Sequence, residues 1–240
     1  CGVSRSDKFR PAAVAVASTA VCGVTEARPM SRVFLNGIPA PVFFNDGDSF
    51  TVLGGPLEGT KARLAGYNTL ESFGPVHRWG KWDAHELYVN SKMATLNARR
   101  GVWHCHSDLN RDGYGRILWT CPDLIVDQIR KGLAHAMTVT EEPAAAPHLE
   151  AQAAAQAERR GIWAHGIPEF ILTSTHSNDE GYPGATYNRL VSTRTGASRK
   201  WLHKDNYKDC QEICHETGSC MVHVHFSKRY GQQRAACLGH

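Results

Sequence analysis

The chain has 240 residues, of which 42% are apolar and 21% are charged, a balance that buries a complete core in one domain and leaves residues over. It contains no internal repeat and no apolar run long enough for a transmembrane helix, so repeat architectures and helical membrane-spanning proteins are excluded. The 27 Lys and Arg residues exceed the 23 Asp and Glu residues by only four charges. This balance is compatible with a polyanionic partner but does not establish one.

Residues 1 to 30 have the layout of a secretory leader. Basic residues at positions 5 to 10 precede the apolar run PAAVAVASTAVCGV at 11 to 24, which is too short to span a bilayer. We therefore expect a secreted or periplasmic protein. The alternative is an N-terminal arm that is disordered or packs on the core, and a lipid anchor at Cys1 or Cys22 is a weaker possibility.

From about residue 41 the sequence is typical of β-strands. The segments PVFFND, SFTVL and TKARLAGY are apolar and strand-like, and the turn-rich GGPLEG lies between the last two. They predict a three-stranded meander. Residues 83 to 100 then change to helical spacing and end in two arginines and Gly101, which predicts one helix after the third strand.

The next elements complete a small barrel. VWHCHS and GRILWTC flank the polar turn LNRDGY, so residues 102 to 121 are predicted to form a hairpin in which Cys105 and Cys121 could face each other. Residues 124 to 136 and 148 to 160 have helical patterns. Five strands interrupted by a helix predict an α+β fold for residues 31 to 167, namely a five-stranded OB-fold β-barrel with three helices.

The amino-acid composition of the chain changes beyond residue 167. Residues 168 to 187 are rich in Gly, Asn, Asp and Ser and are predicted to be a linker, and residues 188 to 240 form a small, basic, cysteine-rich appendage. An even cysteine count suits an oxidising compartment and favours two disulfides there. The rival is a zinc site, although the cysteine spacing is not a strong zinc pattern. The candidate residues are Cys210, Cys214, Cys220 and Cys237, with His215, His223 and His225 as further ligands for zinc.

Several polar residues could take part in catalysis or metal binding, but each of them is weak evidence for a function when taken singly. The DGD at residues 46 to 48 is typical of a turn between strands. Arg63 is most simply a strand arginine with its head in solvent, Glu71 a loop acid, and Arg116 a hairpin charge. His104, His106 and His135 are more simply explained as surface or hydrogen-bonded histidines than as metal ligands.

The order of these segments is far more specific. FNDGDSFTV, ARLAGYNTLE and RDGYGR, followed by QIRKGLA and HLEAQAAAQAERRGIW, resemble the staphylococcal nuclease (thermonuclease) family. The resemblance extends over about residues 31 to 167, a little over half of the chain. It implies an OB-fold that hydrolyses phosphodiesters in DNA and RNA with calcium as cofactor.

The resemblance also implies roles for individual residues. Asp48, Asn68 and the carbonyl of Thr69 would be the protein ligands of a calcium ion, consistent with an all-oxygen site. Glu71 would activate the attacking water, and Arg63 and Arg116 would bind the scissile phosphate. Tyr114 would contact the substrate.

Elementary chemistry supports such a set. Phosphodiester hydrolysis needs a hard cation, a group that positions or deprotonates water, and donors for the developing charge. The forked guanidinium of arginine matches phosphate oxygens better than lysine does. Arg63 and Arg116, from separate strands, could therefore clamp one phosphate, with Glu71 as the nearest carboxylate able to act on the water.

The chain departs from the family pattern at several positions. Asn68 replaces an aspartate, so one ligand charge is missing. Thr138 and Thr140 stand where the family places two tyrosines around the nucleotide, and Gly113 replaces the family lysine before YGR. Nucleotide contacts must therefore differ in detail.

The tail offers a possible replacement for these contacts. Residues 187 to 208 interleave arginines and lysines with Tyr187, Trp201 and Tyr207, a mixture that single-stranded nucleic acid binding uses. A solvated basic surface is the simpler alternative. The sequence thus predicts a monomeric, calcium-dependent nuclease that cleaves single-stranded or locally open DNA and RNA. The first rival hypothesis is a catalytically inactive OB-fold that only binds nucleic acid. The second makes the tail a protein-interaction or cell-surface module, with the nuclease domain as a passenger.

Overall fold

The computed structural model describes most of the chain after residue 30. The described residues are 31–72, 76–181, 184–216, 218–230 and 233–238. The predicted leader, including Cys1 and Cys22, lies outside them.

The described residues form an α+β fold of fourteen strands and three α-helices. The strands are β1 (Ser31–Leu35), β2 (Ile38–Phe44), β3 (Ser49–Val52), β4 (Lys61–Leu64), β5 (Gly66–Thr69), β6 (His77–Trp79), β7 (Val102–Cys105), β8 (Ile117–Trp119), β9 (Ala134–Met137), β10 (Phe170–Ser174), β11 (Tyr187–Ser192), β12 (Ser198–Leu202), β13 (Glu212–Cys214) and β14 (Ser219–Val222). The helices are α1 (Ala84–Arg100), α2 (Pro122–Arg130) and α3 (Ala146–Ala157).

Six strands form a curled sheet, a half-barrel, in the order β7-β1-β2-β3-β4-β8. The meander β2-β3-β4 is antiparallel as predicted, and β1 adds a strand before it, while β7 and β8 run parallel to their neighbours. The two edges approach each other at one end, where His106 and Thr120 form a bridge and Cys105 is disulfide-bonded to Cys121. This sheet has six strands where five were predicted.

The interior of the half-barrel is apolar because alternate residues of each strand face inward. Phe44 and Phe50 pack edge to face with ring centroids 5.4 Å apart, and both are fully buried. Leu124 and Ile129 of α2 close the same core. The strand and helix pattern of the sequence therefore specifies this part of the fold directly.

Helix α1 matches its prediction and begins with a capping box between Asp83 and Glu86. The helix predicted at 124 to 136 is too long, since α2 ends at Arg130. Gly132 adopts a φ of +67°, and a Cβ there would lie 2.3 Å from the carbonyl oxygen of Arg160. The chain therefore leaves the helix at this glycine, and the next residues form β9, which pairs with β5. The last helix covers Ala146–Ala157 rather than 148 to 160.

The C-terminal part is not a separate appendage of the half-barrel. Strand β10 lies inside the stretch predicted to be a linker and forms a sheet with β11 and β12. Strand β14 pairs with β6, which precedes α1, so that this sheet joins distant parts of the chain. Ile171 of β10 is buried in one cluster with Trp79 and Trp163. The tail and the preceding domain therefore share a core.

The disulfide predictions are confirmed, and the pairing is now defined. Cys105 is bonded to Cys121, Cys210 to Cys237, and Cys214 to Cys220. In the part of the chain that the structure describes, no helix combines the length and apolar character needed to cross a membrane.

Candidate active site

The site residues lie where three consecutive strands meet. Asp48 directly precedes β3, and Arg63 on β4 stands opposite Ser49 in the β3–β4 register. Asn68 and Thr69 end β5, a few residues further along the chain. The meander thus brings a carboxylate, a guanidinium and an amide to one place.

Arg63 is the centre of this cluster. Its Nη1 forms an ion pair with Oδ1 of Asp48, and its Nη2 donates to Oδ1 of Asn68 at 2.6 Å. The neighbouring negative charges raise the pKa of Arg63, although burial acts in the opposite direction. Arg63 therefore keeps its charge and is oriented by two oxygens.

Asp48 has its second oxygen bound as well. Oδ2 accepts hydrogen bonds from the backbone N–H of Thr69 at 2.8 Å and from its hydroxyl at 3.1 Å. The side chain of Asp48 is only 3% exposed. A buried carboxylate needs such donors, and here they fix its orientation toward Arg63.

Asn68 links this cluster to β9. Its Nδ2 donates to the carbonyl oxygen of Thr69 at 2.8 Å and lies 3.5 Å from Nε2 of His135. His135 is buried opposite Asn68 in the β5–β9 register, and burial lowers its pKa to about 4, so its ring is neutral near pH 7. Asn68 therefore presents its oxygen to Arg63 and its amide protons to the backbone.

Two further carboxyl groups surround Arg63. Burial, the charge of Asp48 and that of Glu71 raise the pKa of Asp46 to about 7, although Ser49 donates a hydrogen bond to it. Burial and Asp48 likewise raise the pKa of Glu71. Ionisation of Asp46 and of Glu71 is therefore disfavoured in this cluster, first by burial and then by the charge of Asp48.

The turn that carries Asp46 and Asp48 is held in place by close packing. A Cβ on Gly47 would lie 2.5 Å from Cγ2 of Thr69 and 2.9 Å from Cβ of Ala94, so only glycine fits without a shift. The hydroxyl of the buried Tyr67 donates to the carbonyl oxygen of Gly47 at 2.7 Å. The spacing between the turn and β5 is thus set by residue 47.

Glu71 is positioned from two sides. Its backbone N–H donates to Nε2 of His77 at 3.3 Å, and Nζ of Lys92 donates to the carbonyl oxygen of Ser72 at 2.6 Å. His77 lies on β6 and is buried, and burial lowers its pKa to about 3. A neutral ring therefore accepts the hydrogen bond that holds the start of this loop.

Arg116 approaches the site from the loop between β7 and β8. Its Nε and Nη2 both contact Oδ2 of Asp112 at 2.7 Å, and its side chain is 31% exposed. Tyr114 is 76% exposed, and its ring centroid lies 5.4 Å from the Arg116 guanidinium carbon. The charge of Arg116 also opposes the rise in the pKa of Glu71.

The structure thus places Asp48, Arg63, Asn68 and Thr69 in direct contact, with Glu71 and Arg116 beside them. Asp46 belongs to the same cluster, although the sequence pattern indicated only a turn. His77, His135 and Arg229 also act on the site. The sequence around each of these residues gives no indication of this role, because each is brought to the site by contacts between segments that are distant in the chain.

The oxygen donors of the cluster suit a hard cation. The side-chain oxygens of Asp46, Asp48 and Asn68 and the carbonyl of Thr69 are hard oxygen ligands, and burial together with the charge of Asp48 raises the pKa of Asp46 and of Glu71. Calcium at these oxygens would compete with Arg63 for Asp48 and Asn68. The donor atoms therefore match the all-oxygen preference of calcium, while Arg63 holds an oxygen of Asp48 and the oxygen of Asn68 in this structure.

The zinc alternative for the C-terminal cysteines is wrong for the residues that the structure describes. All four sulfurs, those of Cys210, Cys214, Cys220 and Cys237, are bonded to one another in disulfides. One described group, Glu212 with Cys214 and Cys220, has ligand atoms within 4.8 Å, but its thiols are oxidised. A disulfide offers no thiolate to a metal.

A scan of the chain against protein-family models and a search of curated proteins both found no match. The function is therefore inferred from the residues of the site.

Proposed function

We propose that the protein is a calcium-dependent nuclease that hydrolyses phosphodiester bonds in single-stranded or locally open DNA and RNA. The observation that carries the proposal is the cluster of Asp46, Asp48 and Glu71 around Arg63, in which burial and like charge raise the pKa of Asp46 and of Glu71. Carboxyl groups with such perturbed pKa values are concentrated at catalytic sites, and hydrolytic sites use carboxylates to hold a cation.

Each side chain has a role that its position supports. Glu71 takes up the proton of the attacking water, since its raised pKa makes it a better base than an exposed glutamate. Arg63 and Arg116 donate to the phosphate oxygens, and both are already oriented by carboxylates. Calcium, when bound, polarises the phosphate and supplies positive charge for the transition state. Asp48, Asn68 and the Thr69 carbonyl would hold it, with Asp46 beside them.

The family resemblance and the cellular location belong to the same proposal. We assign the half-barrel to the OB-fold and the chain to the thermonuclease-like enzymes, on the motifs FNDGDSFTV, ARLAGYNTLE and RDGYGR. A secreted or periplasmic location is supported by the three disulfides, because such bonds persist in oxidising compartments. We expect the enzyme to act as a monomer.

A basic groove supports nucleic acid as the partner. Val139 and Thr140, which follow β9, line it together with cationic residues of β11 and β12, namely Arg189, Arg199 and Lys200. Lys200 and Arg189 stack on Tyr187, with Nζ of Lys200 4.6 Å from the ring centroid. The β11–β12 hairpin is hydrogen-bonded to the segment after β9, and β9 is the strand that pairs with β5, which carries Asn68.

A second candidate function is nucleic acid binding without cleavage. Asn68 carries no charge for a cation, and Arg63 already binds the Asn68 oxygen. Glu71 speaks against this candidate, since a binding surface gains nothing from a carboxylate that faces phosphate.

Digestion of single-stranded DNA and RNA, with calcium and then with a chelator, separates the two. We expect calcium-dependent cleavage, and Glu71→Gln should reduce it about 100- to 10,000-fold while affinity stays nearly unchanged. Glu169→Gln, outside the cluster, is the matched control. Chelator-insensitive binding without cleavage would establish the second candidate.

A further inference from the structure

Two large aromatic side chains are exposed near the C-terminus. Phe226 is 64% exposed and Tyr230 is 57% exposed, and their ring centroids lie 6.2 Å apart at 70°. Arg229 lies between them in sequence, with its guanidinium carbon 5.9 Å from the Phe226 ring centroid. We call these three residues the aromatic wall. Partly exposed aromatic rings next to a cation offer a ligand both a stacking face and a positive charge.

The aromatic wall is anchored firmly to the rest of the molecule. Nε of Arg229 donates to the carbonyl oxygen of Val224 at 3.0 Å, and the backbone N–H of Phe226 donates to Oε1 of Glu180 at 3.1 Å. The N–H of Ala235 donates to the carbonyl oxygen of Lys228 at 3.1 Å. The Cys210–Cys237 disulfide closes the segment. A ligand binding here would meet a largely preorganised surface.

A short chain of contacts joins the aromatic wall to Glu71. Glu71 is hydrogen-bonded to His77, which stands opposite Met221 where β6 pairs with β14. The N–H of Val222 donates to the carbonyl oxygen of Val76 at 2.8 Å. Val224, to which Arg229 is bonded, follows two residues later. The pairing of β6 with β14 thus brings residues 226 to 230 alongside the loop of Glu71.

Electrostatics agree with this placement. Arg229 interacts electrostatically with Glu71, and its charge acts on this carboxylate more strongly than that of Arg63 or Arg116. Burial, Glu71 and Asp46 raise the pKa of Tyr230. Both residues are therefore within range of the carboxylates of the candidate active site.

We propose that the aromatic wall is the substrate-binding side of this site, where Arg229 contacts a backbone phosphate and Tyr230, with Phe226, stacks on an unpaired nucleobase. This inference rests on the proposed function, because it takes the ligand to be a nucleic acid strand. Arg229 is free to serve in this way, as its described hydrogen bond uses Nε and leaves its terminal nitrogens available. Arg63 and Arg116, which the proposed function also assigns to the phosphate, are each oriented by a carboxylate.

The remainder of the site explains why such a surface is needed. Thr138 and Thr140 have no rings with which to stack, and Tyr114 lies on the β7–β8 loop next to Arg116. Stacking on an aromatic residue is tolerant of base identity but requires an unpaired base. The aromatic wall therefore predicts a preference for single strands over duplexes.

Binding can be measured by fluorescence anisotropy in the Glu71→Gln background, so that cleavage does not interfere. The probes are a labelled single-stranded oligonucleotide, its duplex, and an abasic strand of the same length. Tyr230→Ala should weaken single-strand binding about 5- to 150-fold, and Tyr230→Phe should restore it. On the abasic strand Tyr230→Ala should have little effect. Arg229→Gln should weaken binding to both strands, and Arg234→Gln, an exposed arginine of the same module, is the control.

The possible outcomes separate this inference from the proposed function. Unchanged affinity in Tyr230→Ala, or an equal loss on the abasic strand, overturns stacking even if the wild-type protein cleaves nucleic acid. An Arg229→Gln protein that binds like Arg234→Gln overturns the phosphate contact. A protein that binds with the predicted selectivity but does not cleave supports the aromatic wall and refutes the nuclease. Circular dichroism of each variant shows whether it is folded.

Discussion

Replacing Asn68 by aspartate adds one negative charge at the centre of the candidate site. The Asn68 oxygen lies 2.6 Å from Nη2 of Arg63, which also pairs with Asp48. Asp46 and Glu71 contribute further negative charge to the same cluster. The substitution therefore tests directly whether this position binds a cation.

Without metal, we expect the variant to be less stable. The amide of Asn68 donates to the Thr69 carbonyl at 2.8 Å, and a carboxylate cannot make this bond. An unpaired buried acceptor costs about 1 to 3 kcal/mol. Attraction to Arg63 offsets part of this loss, while repulsion from Asp48 adds to it. The net loss in unfolding free energy should be about 1 to 2 kcal/mol.

With calcium bound, we expect the aspartate to stabilise the protein instead of destabilising it. A unit-charge pair at about 4 Å interacts by about 4 kcal/mol at an effective dielectric of about 20. Desolvation and repulsion from Asp48 cancel most of this, leaving roughly 1 to 3 kcal/mol, or about 5- to 150-fold in calcium affinity. A tenfold gain would raise the stability at saturating calcium by about 1.4 kcal/mol more than in the wild type.

Urea unfolding followed by tryptophan fluorescence across a calcium series measures both effects. Asn45→Asp is the matched control, since it adds the same charge at the end of β2, where Asn45 is bonded to Thr51 rather than to Arg63. We expect Asn68→Asp to bind calcium at a lower concentration than either the wild type or the control. An unchanged calcium midpoint for stability and cleavage would remove Asn68 from the ligand set.

Three further predictions follow from the packing around the site and in the tail. Gly47→Ala should lower calcium affinity and destabilise the fold by about 1 to 3 kcal/mol, because its Cβ would lie 2.5 Å from Thr69. Calorimetry measures both effects, and an unaffected protein would show that the turn can move. Replacing Cys105 and Cys121 together by alanine should lower the free energy of unfolding in urea by about 3 kcal/mol, as expected for a separation of 16 residues. A loss below about 0.5 kcal/mol would mean that other contacts hold the edges of the half-barrel together. Burial lowers the pKa of His223 to about 4 in the folded chain, so the unfolded chain is protonated first as the pH falls below about 6.5 and stability is lost. His223→Gln should therefore lose about 2 kcal/mol less than the wild type between about pH 8 and about pH 5, and an equal loss would contradict a buried neutral ring.

The elements that the sequence predicts correctly depend on local patterns. The meander β2-β3-β4 follows from apolar alternation between turn residues, and α1 from its apolar spacing and glycine stop. The Cys105–Cys121 pairing follows from the hairpin-like turn between the two cysteines. The end of α2 was misplaced because Leu133 and Ala136 continue the helical spacing, whereas Gly132 packs against the backbone of Arg160. That contact joins residues far apart in sequence.

The sequence indicates only part of the chemistry of the site, for a related reason. The DGD segment was interpreted as a turn, and it is one, since the N–H of Asp48 donates to Oδ1 of Asp46 at 3.1 Å. The same two carboxylates also face Arg63, so one segment satisfies both interpretations. Sequence spacing could show the turn but not the raised pKa values of Asp46 and Glu71, because these arise first from burial by other strands.

The tail shows the same limit most clearly. Its composition suggests a separable module, yet β14 pairs with β6 and Ile171 is buried with Trp79 and Trp163. Removing residues 168 to 240 would therefore uncover two tryptophans of the shared core and take away the strand beside β6. Loss of activity after such a truncation would report unfolding and not a nucleic acid contact. The contribution of the tail must instead be tested by substitutions at exposed positions such as Tyr230, which leave the core intact.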